Sequence, residues 1–153
     1  MAKPALTWLA VILCVILVIP GHMVGGVAEY IFRHASQEIL PDPFGLHFFF
    51  GIDWLVKPLV WIFDVGSGSA LRGGIAGAVA VAVTKLLCRR ANMLKAAFIT
   101  GIAYTVLVAL AFVVTLFTIG ITGDAVATVI ELIGLWIGLF SVAATAPQLE
   151  ASA

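Results

Sequence analysis

Three ionisable residues lie in or beside long apolar runs of the sequence: His22, Arg72 and Glu131. Glu131 lies about 10 Å from the start of the run 125–146, at the 1.5 Å rise per residue of an α-helix. An ionisable side chain at such a depth is costly in a membrane, and it marks either a functional site or a buried pair. Arg72 is the natural partner for Glu131. Both interpretations of these intramembrane polar residues stay open on the sequence alone.

A second polar group is predicted on the same, outer side of the membrane. His22, Glu29 and Arg33 share one helical face, because they are spaced by seven and four residues. With a neighbouring carboxylate, His22 could hold a transition metal, relay protons or hydrogen-bond a quinone headgroup. The outer group consists of Glu29, His34, His47, Asp53, Lys57 and Asp124.

Motifs for catalysis and metal binding are missing from the sequence. It has no HxxxH or Glu-x-x-His pair, no paired-cysteine motif and no Gly-x-Ser-x-Gly elbow. This favours a non-catalytic chain over an enzyme without deciding between them, and we predict no metal, haem or other cofactor beyond contacts with lipid. Cys14 and Cys88 are predicted to be small buried hydrophobic residues. Eight basic residues balance eight acidic ones, which argues against a nucleic-acid partner.

The composition is that of an integral membrane protein. Hydrophobic residues make up 63% of the 153, and the mean hydropathy is +1.19, whereas soluble domains are about 45–50% apolar. Since a bilayer core requires about 20 apolar residues in helix, the chain is predicted to be one all-α transmembrane domain. Its four predicted spans are residues 5–28, 71–88, 96–119 and 125–146.

The segment 44–64 is apolar and aromatic but carries charges at Asp53 and Lys57. We predict that it forms an interfacial or re-entrant helix on the outer side, followed by a flexible turn at the Gly-Ser stretch 66–69. If it crossed the membrane as a fifth span, each buried charge would cost about 2.5–3.5 kcal/mol.

The positive-inside rule sets the predicted orientation. Four spans place both termini in the cytoplasm, together with five of the eight basic residues: Lys3, Lys85, Arg89, Arg90 and Lys95. The short loops, and the lack of a glycosylation sequon, favour a bacterial inner membrane.

Small residues recur on one face of two predicted spans, where they form two GxxxG pairs: Gly73 with Gly77, and Gly134 with Gly138. Helices in lipid associate through such small-residue faces because these let the backbones approach closely. The faces serve either to pack the bundle itself or to dock another chain.

Three hypotheses for the function follow. The first is a non-catalytic accessory or assembly subunit of a membrane complex, which associates laterally through small-residue faces with other integral membrane subunits or with itself. The second is an oligomeric channel or small transporter with an outer vestibule around Glu131 and Arg72. The third is a membrane redox or metal-binding subunit with an outer-leaflet site of histidine and carboxylate side chains.

Overall fold

The computed structural model describes residues 4–39, 53–118 and 123–145, which form four α-helices. In chain order they are α1 (Pro4–Ile39), α2 (Asp53–Leu87), α3 (Met93–Thr118) and α4 (Gly123–Ala144). Each contains a segment long and apolar enough to cross a membrane: Pro4–Ala35, Val65–Leu87, Met93–Val114 and Ala125–Ala144. This all-helical architecture agrees with the predicted four-helix membrane bundle.

The second helix differs from its prediction. Asp53 to Leu87 form one continuous helix, so the flexible turn predicted at residues 66–69 is wrong. The reason is packing: an added Cβ at Gly68 would lie 3.2 Å from Glu29 Cγ, and Ser69 is buried. Such tertiary contacts override the weak helix propensity of glycine and serine, and an unbroken helix satisfies its own backbone hydrogen bonds in lipid. The first part of the predicted interfacial helix, residues 44–52, lies outside the described residues.

The helices follow the order α1, α2, α4, α3 around the bundle. α2 packs against α1 and α4, and α3 completes the ring by packing against the same two helices. α1 and α2 are sequential neighbours, whereas α2 and α4 are brought side by side although α3 separates them in the chain.

One end of the bundle is basic. Lys85 Nζ, in the last turn of α2, donates a hydrogen bond to the Thr145 carbonyl at the end of α4, at 2.9 Å. The Asn92 backbone amide, beside the start of α3, donates to Thr7 Oγ1 near the start of α1, at 3.3 Å. The first described residues, the last described residues and the α2–α3 connection therefore share this end, together with Arg89. We call the opposite end of the bundle the distal end.

The two GxxxG pairs pack against each other inside the chain. A Cβ added at Gly77 would lie 2.5 Å from the Leu135 carbonyl oxygen, and one at Gly73 would clash with the Glu131 backbone. In the reverse direction, a Cβ at Gly134 or Gly138 would clash with the α2 backbone. The small-residue faces of α2 and α4 therefore close the bundle itself, which is the first of the two interpretations that the sequence left open.

Small and polar side chains fill the centre of the bundle. Cys14 and Cys88 are buried, as predicted. Cys14 Sγ donates to Thr84 Oγ1 at 3.2 Å, and Thr84 in turn donates to the Ala80 carbonyl at 2.7 Å. These hydrogen bonds satisfy hydroxyl and thiol groups that would otherwise be buried at a cost.

The third helix packs along only part of its length. Near the basic end it buries Met93, Ala96, Ala97, Thr100 and Gly101. Further along α3, Trp136 of α4 contacts this helix, and its indole Nε1 donates a hydrogen bond to Thr105 Oγ1 at 3.0 Å. Beyond this contact, no residue from Val106 to Val114 is buried. We call residues 106–114 the distal half of α3.

Candidate functional site

Two close helix crossings bring the predicted intramembrane residues together. On one side of α2, a Cβ at Gly25 of α1 would clash with the Arg72 backbone. On the other side, Gly73 lies against the Glu131 backbone of α4. At both crossings the contacting residues are the charged residues or their immediate neighbours in the sequence. The side chains of α1, α2 and α4 therefore meet at the same height along the bundle.

Glu131 is the centre of this polar network. Its Oε1 lies 2.9 Å from His22 Nδ1 and 3.2 Å from Arg72 Nε. The side chains of His22 and Glu131 are each about a fifth exposed, at 21% and 22%. The Glu131 carboxylate of α4 therefore lies at ion-pair distance from both α1 and α2, although neither His22 Nδ1 nor Arg72 Nε makes a hydrogen bond with it.

Glu29 extends the network toward the end of α1. Its Oε1 accepts a hydrogen bond from Arg33 Nη2 at 2.7 Å, one helical turn away, and its Oε2 lies 3.9 Å from Arg72 Nη1. Arg72 thus bridges two carboxylates. The two guanidinium groups and the two carboxylates sum to zero charge, which lowers the cost of placing these four groups in an apolar surrounding.

Two nitrogen atoms are buried beside the Glu131 carboxylate without a hydrogen-bond partner among the described residues: His22 Nδ1 and Arg72 Nε. They lie 2.9 Å and 3.2 Å from Glu131 Oε1. Both contacts are therefore at ion-pair distance but lack the geometry of a hydrogen bond.

A cavity of about 120 Å³ lies beside this pair. His22 and Tyr104 contribute aromatic walls, with ring centroids 5.7 Å apart. Glu131 contributes the charged wall. The remaining lining residues come from α3 and α4: Val108, Thr128, Leu132 and Leu135.

Of the other predicted site residues outside this arrangement, the structure describes only the side chain of His34. His34 is exposed on α1, where it stacks on Tyr30 with ring centroids 6.1 Å apart. Asp53 and Lys57 belong to α2 and Asp124 to α4, but their side chains lie outside the described part of the structure, as does the whole of His47. The predicted outer vestibule therefore stays a prediction, although its two central residues, Glu131 and Arg72, form an ion pair.

Two lining residues, Tyr104 and Thr128, were not identified as site residues from the sequence. Thr128 precedes Glu131 by three residues, so helical spacing alone places it on the same face. Tyr104 has no such signal, because its approach to His22 depends on how α3 packs across α1. Within residues 4–39, 53–118 and 123–145, no group of three His, Cys, Asp or Glu side chains is arranged to hold a metal ion.

Comparison of the chain with protein-family models, with curated proteins and with solved structures found no match. The function is therefore inferred from the geometry of the chain itself.

Proposed function

We propose that this chain is a non-catalytic accessory subunit of a larger membrane complex, and that a transmembrane helix of another subunit packs on the distal half of α3. The observation that carries the proposal is the one-sided burial of α3. In the apolar 18-residue window of α3, 17% of the residues are buried, compared with 33% in those of α1 and α2 and 22% in that of α4. The buried residues all come before Val106.

A helix in a membrane bundle gains its stability by packing one stripe of side chains against its neighbours. Among the residues that the structure describes, the distal half of α3 has no buried stripe, and its Ala109 is small enough to let another backbone approach. A partner helix seated there would add packing along this half of α3.

The rest of the bundle supports a structural rather than a mobile role. The GxxxG faces pack α2 closely against α4, and the ion-pair contacts around Glu131 connect α1, α2 and α4. Because these small-residue faces are used internally, the proposed lateral contact falls on α3 instead of on the glycine stripes. The four-helix bundle would then bind its partner subunit laterally in the bilayer, as a preassembled unit with no net formal charge.

Site-specific photo-crosslinking in the native membrane tests this proposal. A photo-reactive residue is placed at Val106, Leu110 or Val113 of α3, which are 52%, 60% and 49% exposed. The matched control positions on α1 are equally apolar and exposed. They are Ile12, Ile16 and Ile19, at 55%, 56% and 63%.

The expected result is a discrete adduct with a second, different polypeptide from the α3 positions, and lipid adducts from the α1 positions. If both helices give only lipid adducts, the accessory-subunit proposal is wrong. An adduct of α3 with a second copy of this chain would instead favour the homo-oligomeric channel.

A further inference from the structure

We propose that a second cavity, between the starts of α1 and α3 at the basic end of the bundle, binds the phosphate headgroup of an anionic phospholipid, with Lys95 as its cationic ligand. The proposal requires that the four apolar spans lie in a bilayer. It does not depend on the partner subunit proposed above, because the α3 residues that line this cavity, Lys95 and Ile99, belong to the first two turns of the helix.

The cavity has room for a phosphate group and its ester oxygens. Its volume is about 190 Å³, and it is partly open to the surface. A dry protein cavity of about 150 Å³ already accommodates a benzene molecule. The lining suits a ligand with a polar and an apolar part, since it consists of the apolar side chains of Pro4, Trp8 and Ile99 and the polar side chains of Thr7, Asn92 and Lys95.

Hydrogen bonds hold the walls of this cavity together. The Asn92 backbone amide, in the α2–α3 connection, donates to Thr7 Oγ1 of α1 at 3.3 Å. Asn92 Oδ1 accepts from the Lys95 backbone amide at 3.0 Å. Thr7 itself is buried. The cavity is therefore part of the folded bundle, and Lys95 is held beside it by the start of its own helix.

Lys95 supplies the positive charge. Residues 86–95 contain three basic and no acidic side chains. All three, Arg89, Arg90 and Lys95, are exposed, and no carboxylate pairs with them in the part of the chain that the structure describes. Of the three, Lys95 lines the cavity. A lysine ammonium group binds phosphate as a point charge, and basic pockets between transmembrane helices bind anionic lipid headgroups.

The surface beyond the cavity suits the acyl chains of a lipid. Trp8 is 58% exposed, and tryptophan is enriched at the headgroup level of membranes. Ile12 and Ile102 follow Trp8 and Ile99 by about one helical turn on the same faces, and they are 55% and 44% exposed. A lipid with its phosphate in the cavity would lay its acyl chains along these faces of α1 and α3, whereas a soluble phosphate would leave them uncovered.

Native mass spectrometry of the full, delipidated chain tests the proposal. The measurement is made in about 0.3 M ammonium acetate, where attraction between distant exposed charges is largely screened. The chain is titrated with dioleoyl phosphatidylglycerol and, separately, with dioleoyl phosphatidylcholine, which has the same acyl chains but a zwitterionic headgroup. We expect one phosphatidylglycerol to be retained per chain, with an affinity at least about fivefold higher than that of phosphatidylcholine.

Two pairs of variants separate the cavity from the general charge of this end. Lys95→Gln is expected to lower the affinity for phosphatidylglycerol about fivefold. Arg90→Gln, which removes an exposed charge that does not line the cavity, is expected to stay within about twofold of the parent chain under this screening. Ile99→Trp fills the cavity and is expected to abolish one-to-one binding, whereas Phe98→Trp, at a neighbouring position that is 51% exposed, is expected to retain it.

Glycerol 3-phosphate distinguishes a lipid from a soluble ligand, because it has the phosphate without the acyl chains. It is expected not to displace phosphatidylglycerol at equal concentration, and displacement would assign the cavity to a soluble phosphate instead. The lipid site is also overturned if the two phospholipids bind equally, if Lys95→Gln and Arg90→Gln lose the same affinity, or if Ile99→Trp binds as well as Phe98→Trp.

Discussion

Gly138→Ala is expected to destabilise the folded bundle by about 1–3 kcal/mol, the usual cost of overpacking a tight core. The added methyl would lie closer than 3.0 Å to the backbone of α2, at Gly74. Backbone atoms cannot rotate away as a side chain can, so α2 and α4 would have to separate. The separation would also loosen the neighbouring contact of Gly134 with α2, because both glycines belong to the same crossing.

Gly26→Ala is the matched control, since an added Cβ at Gly26 meets nothing within 4 Å. It is expected to be neutral, or to stabilise α1 by up to about 1 kcal/mol through the better helix propensity of alanine. Thermal unfolding of both variants in one detergent, followed by circular dichroism at 222 nm, measures the difference. Equal stability of the two variants would mean that α2 and α4 do not cross at their GxxxG pairs.

Glu131→Leu is expected to lower the stability by about 1–3 kcal/mol, the range for leaving a polar partner unsatisfied. The substitution removes the contacts of the carboxylate with both His22 and Arg72. Among the described residues, Arg72 would then retain Glu29, whose Oε2 lies 3.9 Å from Arg72 Nη1. The Arg72 guanidinium group would still be partly desolvated, but it would have lost the closer of its two carboxylate partners. Its desolvation would therefore be less well compensated by ion pairing.

A double-mutant cycle separates the interaction energy of the Glu131–Arg72 pair from the effect that each substitution has on stability by itself. Arg72→Leu combined with Glu131→Leu should cost less than the sum of the two single substitutions, by about 0.5 kcal/mol or more, since directly interacting residues are not additive. The control cycle combines Glu131→Leu with Arg89→Leu. Arg89 is exposed at the basic end of the bundle, and this cycle is expected to be additive. Additivity in both cycles would show that the Glu131–Arg72 pair contributes nothing to stability.

The sequence was sufficient to predict features that depend on local composition or on helical spacing. Hydropathy gives four candidate spans, because a bilayer demands long apolar helices. The 4-residue spacing of Gly73 and Gly77 identifies a packing face, and the need of a membrane carboxylate for a partner points from Glu131 to Arg72.

Features that depend on the path of a whole helix were not predictable in this way. The Gly-Ser stretch 66–69 has weak helix propensity, and only its packing on α1 explains why α2 continues through it. The approach of Tyr104 to His22, and the cavity between them, depend on how α3 packs across α1 and α4. No residue spacing within one helix encodes how that helix packs against two others.

The central claim is that this bundle works as a subunit of a larger membrane complex. Native mass spectrometry of the protein, extracted gently from its own membrane, tests this claim most directly. We expect the chain to be recovered in a fixed ratio with at least one other polypeptide. Recovery of the chain alone, or as a closed homo-oligomer, would contradict it.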